Sequence, residues 1–177
     1  MSTKNIASKK LEIGPGAKPK EGYVHFDIRP LAGVDVVGDA KKLPFKDGEF
    51  ECVFSRFFLE HLLRNDAKLA LKEMLRVLKK GGELELIVPD LAYFCKLFVE
   101  ESGQKKEWAL NKIYGFEKYS EDHHNFGYDF STLKSVLEEV GFVGVKQVKE
   151  KVVGAKESLG VAKEKEAQYL HVIAKKK

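Results

Sequence analysis

The 177-residue chain predicts an α/β protein built on a mostly parallel sheet. Three observations carry the prediction. Strand-like segments alternate with helix-like ones along most of the length. Gly14-Pro15-Gly16 follows directly on a short apolar segment, where the missing Cβ atoms let backbone approach a ligand. Between Lys10 and Asp39, apolar segments carry the acids Glu12, Asp27 and Asp39 at or near their ends, the layout of a nucleoside-cofactor site. A G-x-G after a strand is a weak signal by itself, and the three acids strengthen it.

Leu11 and Ile13 mark the first strand. Val24, Phe26 and Ile28 alternate with His25 and Asp27 in the second, which sets Asp27 near a strand end. Val34, Val36 and Val37 make a third before Asp39. Ala40 to Glu49 is punctuated by Pro44 and Asp47-Gly48 and reads as loop and turn. Phe50 to Ser55 is a fourth strand with Phe50, Cys52 and Phe54 on one face. Asn65 opens a helix carrying Leu69, Met74, Leu75 and Leu78, closed by Gly81-Gly82. Glu83 to Val88 alternates as a fifth strand stopped by Pro89, and Asp90 caps a helix through Phe94 and Leu97. Residues 101–129 break the rhythm with Trp108, Tyr114, Phe116, Tyr119, His123, His124, Phe126 and Tyr128, and read as a segment inserted beside a site. Ser131 caps a last helix ended by Gly141. Strands from Val143 to Lys151 and from Tyr169 to Ala174 bracket a charged linker over 154–167. Residues 1–8 read as a flexible N-terminus of one single domain.

The first two connections are short for parallel pairing, yet long enough. The nine residues from Gly14 to Gly22 span roughly 30 Å at about 3.3 Å each. The six steps from Ile28 to Val34 reach roughly 20 Å, more than a short strand of roughly 13 Å. Alternating rather than continuously apolar strands predict that one sheet face is thinly covered. Lys10, His25, Asp35, Glu51 and Glu85 would populate it, solvated, overlaid by a terminus or used in a homodimer. A hairpin closed at Arg29 to Gly33 is the competing arrangement.

Composition is that of a globular protein, with 44% hydrophobic and 33% charged residues. The net charge of +4 is gathered in the lysine-rich C-terminal third and reads as a solvated tail before it reads as a site for an anion. Cys52 and Cys95 sit in apolar segments without metal-ligand spacing, so buried thiols in a reducing, cytoplasmic setting are expected and no metal ligand is assigned. The longest apolar stretch, Leu84 to Val99, is interrupted by Pro89, Asp90 and Lys96, so no membrane span is expected.

Several segments together resemble a class I S-adenosylmethionine-dependent methyltransferase, of the group related to the small type 11 methyltransferase domain. LEIGPG resembles its first motif, DAKKLPF its adenine-contacting segment, FECVFSRFFLEHL its fourth-strand motif and EMLRVLKKGGELELIVPD its helix and fifth strand. TLKSVLEEVGF and YLHVIAKK resemble its last helix and final strands. The resemblance implies a Rossmann-like seven-stranded, mostly parallel sheet in the order 3-2-1-4-5-7-6, with strand 7 antiparallel. It further implies that Glu12, Gly14 and Gly16 surround the methionine part of S-adenosyl-L-methionine and that Asp27 holds the ribose. Asp39 and Ala40 would face the adenine, Phe54 and Ser55 would lie near the transferred methyl, and Leu59, Glu60 and His61 would line the adjoining helix start. Lys18 stands where the family has its third glycine, and Asp27 comes eleven residues after Gly16 rather than about twenty. Crossover helices therefore look missing on one face, in agreement with the alternating strands.

Methyl transfer from a sulfonium is an in-line displacement that needs alignment, desolvation and, for a protonated acceptor, a base. His123, His124 and Tyr128 in the 101–129 segment are the candidate catalytic residues, with Asp122 placed to orient an imidazole and Arg29 and Arg56 to meet an anionic group. After strand four, Ser55-Arg56-Phe57-Phe58 lacks the Asn/Asp-Pro-Pro-aromatic signature associated with exocyclic base amines, and neither cysteine follows a proline. A small-molecule acceptor is the leading class by elimination, with nucleic acid and protein left open. Two rivals stand beside this reading. One is an NAD-dependent oxidoreductase, for which G-x-G-x-x-G is incomplete and Glu12 would face the pyrophosphate unfavourably. The other is a non-catalytic cofactor- or protein-binding module on the same fold.

Overall fold

The computed structural model describes residues 9–116, 122–148 and 168–177. Strands β1 (Lys10–Ile13), β2 (Val24–Asp27), β3 (Val36–Val37), β4 (Phe50–Arg56), β5 (Leu78–Pro89), β6 (Phe142–Gln147) and β7 (Tyr169–Lys176) form one sheet. Its order is β3-β2-β1-β4-β5-β7-β6, and β7 runs antiparallel to both its neighbours. Helices α1 (Arg64–Val77), α2 (Leu91–Glu100), α3 (Gly103–Tyr114) and α4 (Phe130–Val140) complete it, with a 3-10 turn at Leu59–His61. The expected order and strand senses hold.

β1, β2 and β3 are joined without helices and still pair in parallel, Leu11 beside Val24 and Phe26 beside Val36. The hairpin alternative at Arg29 to Gly33 is therefore set aside. That segment makes tight turns, Leu31 N–H to the Arg29 carbonyl and Val34 N–H to the Leu31 carbonyl, and returns the chain to parallel register. β3 shortens to two residues.

One face of the sheet carries the main core. Leu11, Ile13, Phe26, Val53, Leu84, Leu86, Val88, Leu170 and Val172 pack against Ala67, Leu71 and Met74 of α1 and Leu133 and Leu137 of α4. Phe50 joins them, contrary to the expectation that Phe50, Cys52 and Phe54 share a face. A register irregularity between Phe50 and Cys52 inverts the alternation, so Phe50 enters the main core and Phe54 the opposite side. Glu51, beside this irregularity, pairs with Lys79 at 2.7 Å.

The opposite face is the thinly covered one. Register aligns His25, Glu12, Phe54 and Glu85 across four strands. Among the described residues its β1–β4 part is overlaid by the β1–β2 connection rather than by a terminus or helix: Tyr23 meets the Phe54 ring edge-on, and Lys20 Nζ lies 4.0 Å from that ring and 3.6 Å from Glu85 Oε2. Glu85 in turn meets His171 Nε2 at 3.0 Å.

Helix ends depart from the sequence reading for local reasons. α1 starts at Arg64 and stops at Val77, because Leu78 already runs into β5, so Gly81-Gly82 lie within that strand. A Cβ on Gly82 would sit 2.8 Å from the Lys79 carbonyl oxygen and 3.1 Å from that of Glu51, so Gly82 lets two strands approach rather than ending a helix. α2 is capped by Asp90 as expected. α4 is capped by Asp129 rather than Ser131: Asp129 Oδ1 accepts the Thr132 N–H at 2.7 Å while Thr132 Oγ1 accepts the Asp129 N–H at 3.0 Å. Helix α3 lies inside the segment read as irregular. The charged linker, the first eight residues and Tyr119 fall outside the described residues.

Candidate active site

A cavity of about 680 Å³ opens at the carboxyl ends of β1, β2 and β4, where ligands collect in open α/β sheets. β1 ends in Gly14 and Gly16, both with positive φ (+70° and +58°). A Cβ on Gly14 would lie 2.8 Å from Phe58 Cδ2, so the turn and the Phe57-Phe58 segment fit closely only without a side chain there. On β2, Asp27 is 5% exposed. Its Oδ1 accepts the Arg29 backbone N–H at 2.9 Å and Arg29 Nε–H at 3.3 Å, while its buried Oδ2 has no hydrogen-bond partner among the described residues. Asp39 Oδ1 accepts the Lys41 N–H at 2.9 Å in the turn beyond β3, with Ala40 beside it on the cavity wall.

β4 delivers its last residues to the same cavity. Phe57 holds φ +54°, the one positive value at a non-glycine among the described residues, fixed by its N–H to the Ile87 carbonyl at 2.8 Å and by its ring 5.0 Å from that of Tyr169. Strained backbone of this kind collects at binding sites. The far wall comes from distant sequence. The Asn125 side-chain amide donates to the His61 carbonyl at 2.7 Å, and the Asn125 and Phe126 N–H groups donate to the Glu60 carbonyl, so residues 123–126 are strapped onto the Leu59–His61 turn. His61, His123 and Asn125 thereby face the cavity.

Of the residues anticipated from sequence, Gly14, Gly16, Asp27, Arg29, Asp39, Ala40, Arg56, His61 and His123 line this cavity. Glu12, Phe54, Ser55, His124 and Tyr128 do not. Glu12 is buried beneath the glycine turn, where its Oε2 accepts the Lys20 N–H at 2.6 Å. Phe54 and Ser55 lie inside β4, and alternation sends Phe54 to the polar face and Ser55 into the sheet, where it donates to the Ile13 carbonyl at 2.9 Å. Tyr128 is packed in the main core, its hydroxyl pushed up to about 12 by burial. His124 turns toward a second, small cavity that Glu60 also lines. There, burial pushes Glu60 up to about 8, and burial followed by the nearby His61 pushes His124 down to about 4. Sequence reasoning gave no cavity role to Phe57, Phe58, Leu62 and Asn125. The position of Phe57 and Phe58 just past a strand end was the available signal.

The strand order and this glycine-lined cavity at the carboxyl ends define the class I S-adenosylmethionine-dependent methyltransferase fold. Residues 8–86 match the family model described as "Methyltransferase domain". The ubiquinone/menaquinone biosynthesis C-methyltransferase UbiE of Pseudomonas putida is 32% identical over 116 residues, covering 60% of this chain and 43% of that protein. Demethylmenaquinone methyltransferase of Staphylococcus aureus is 32% identical over 128 residues, covering 63% and 48%. The chain thus spans less than half the length of the curated relatives it matches. A SAM-dependent methyltransferase of Thermotoga maritima shares the fold with a TM-score of 0.60 at 23% identity, over 96% of this chain and 82% of that one.

Proposed function

We propose that this protein binds S-adenosyl-L-methionine in the large cavity and transfers its methyl group to a small-molecule acceptor. The observation that carries the reading is Asp27 Oδ2, a buried carboxylate oxygen on the cavity wall with no donor of its own. A buried acceptor left bare is costly, and a vicinal diol satisfies it. Asp27 therefore holds the ribose hydroxyls, Gly14 and Gly16 admit the methionyl part against bare backbone, and Asp39 with Ala40 flanks the base. The cofactor supplies an electrophilic methyl on a sulfonium. Phe57, Phe58 and Leu62 exclude water from the transfer path, and His123 is the side chain placed to take a proton where the acceptor carries one. His124 and Tyr128 stand back from the cavity.

The size of the cavity suits an adenosyl cofactor with a modest acceptor beside it. The oxidoreductase alternative is disfavoured by the β1–β2 connection, which has no helix whose N-terminus would meet a pyrophosphate. Calorimetric titration of wild type and Asp27→Ala with S-adenosylmethionine tests the proposal. Loss of the hydroxyl hydrogen bonds is worth about 1–3 kcal/mol, roughly a 5- to 150-fold weaker Kd. Equal affinity in the two proteins removes Asp27 from the site. Acceptor screening then begins with demethylmenaquinone, named by one relative, and extends to small hydroxylated metabolites.

A further inference from the structure

Glu60, His61 and His124 converge where the Leu59–His61 turn meets the 123–126 strap. One ligand atom from each lies within 4.8 Å of the other two. Glu60 is 2% exposed, and neither of its carboxylate oxygens has a hydrogen-bond partner among the described residues. A buried carboxylate is normally paired or bound to a metal. The two imidazoles are oriented as ligands are. His61 Nδ1 lies 3.1 Å from the His123 carbonyl and His124 Nδ1 2.9 Å from the Lys112 carbonyl. A carbonyl can only accept, so each Nδ1 donates to it, the arrangement in which a backbone carbonyl fixes a metal-binding histidine and leaves the other ring nitrogen of the neutral imidazole to ligate.

We propose that Glu60, His61 and His124 bind one divalent transition-metal ion, of the zinc or manganese class, at the acceptor end of the cavity. One carboxylate and two imidazoles form a ligand set that leaves coordination positions open. Ligand atoms about 2.1 Å from a tetrahedral ion stand about 3.4 Å apart, so small ring rotations close the present separations. Glu60 and His124 line the small inner cavity whereas His61 lines the large one, which sets the ion between them with its open side toward the acceptor. On the methyltransferase reading, the ion holds an oxygen of the acceptor, and the acceptor class narrows to oxygen-bearing molecules such as phenols, enols and hydroxy acids.

The test uses the full chain stripped with chelator, titrated calorimetrically with ZnCl2 and separately with MnCl2. S-adenosylmethionine is titrated into the same preparations. The expected result is one ion per chain, with affinity at least tenfold weaker in Glu60→Gln and in His124→Ala, both checked by circular dichroism. Glu60→Gln keeps the side-chain shape, and the stoichiometry of the wild type stands whether or not a variant folds. No stoichiometric binding of either ion by the wild type, or undiminished affinity in folded variants, overturns the site. Ion binding without S-adenosylmethionine binding overturns the cofactor reading alone, and the converse overturns the metal site alone.

Discussion

Asp27 commits one oxygen to structure and leaves the other bare. Oδ1 is taken up by Arg29, which fixes the carboxylate, and Oδ2 is left bare on the cavity wall. That position was legible in the sequence because an acid at the end of an alternating strand has one place to go. Phe54 and Ser55 were not, since a register irregularity three residues earlier decides which way each points. The two turn glycines make different predictions. Both have positive φ, so alanine at either costs about 1–2 kcal/mol in backbone strain. Gly14→Ala adds a clash with Phe58, whereas a Cβ on Gly16 meets nothing within 4 Å. Thermal melts should therefore show a larger fall in Tm for Gly14→Ala than for Gly16→Ala, at roughly 2–4 °C for each kcal/mol. Equal falls would mean that the Phe58 contact carries no weight.

At the scale of elements, strand and helix order were readable from periodicity, and the ends were decided by local chemistry. The capping of α4 illustrates this. Ser131 and Asp129 are both good caps, and the reciprocal bonds of Asp129 with Thr132 select the earlier start. Asp129→Ala should lower stability by about 1 kcal/mol in urea unfolding, with Ser131→Ala clearly milder. The reverse ranking would contradict the cap. Gly81-Gly82 misled for the opposite reason, because glycine serves strand contact as readily as helix termination. The far wall of the site was illegible for a topological reason. Asn125 and His61 are far apart in sequence, and only the completed fold brings the strap onto the turn.

Over the whole molecule, dropping two crossover helices leaves a sheet face held by polar contacts. The alternating strands announced it. How it is covered depended on where a short loop lays Lys20 and Tyr23. Glu85 is central there, its carboxyl held below the usual range chiefly by the hydrogen bond from His171 and then by Lys20, against the opposing pull of burial. A depressed carboxylate contributes stability that is present above its unfolded pKa of about 4.3 and is lost as pH falls through the folded value. The stability gap between wild type and Glu85→Gln should thus be open at pH 7 and close on acidification below about pH 4, read from urea midpoints. A gap independent of pH would assign the effect of Glu85 to packing instead.

The most direct measurement is a calorimetric comparison of S-adenosylmethionine and NAD binding to the wild-type chain and to Asp27→Ala. One S-adenosylmethionine site per chain, weakened roughly 5- to 150-fold by the substitution and not matched by NAD, is the predicted result. Absence of S-adenosylmethionine binding, tighter binding of NAD, or indifference to Asp27 would contradict it.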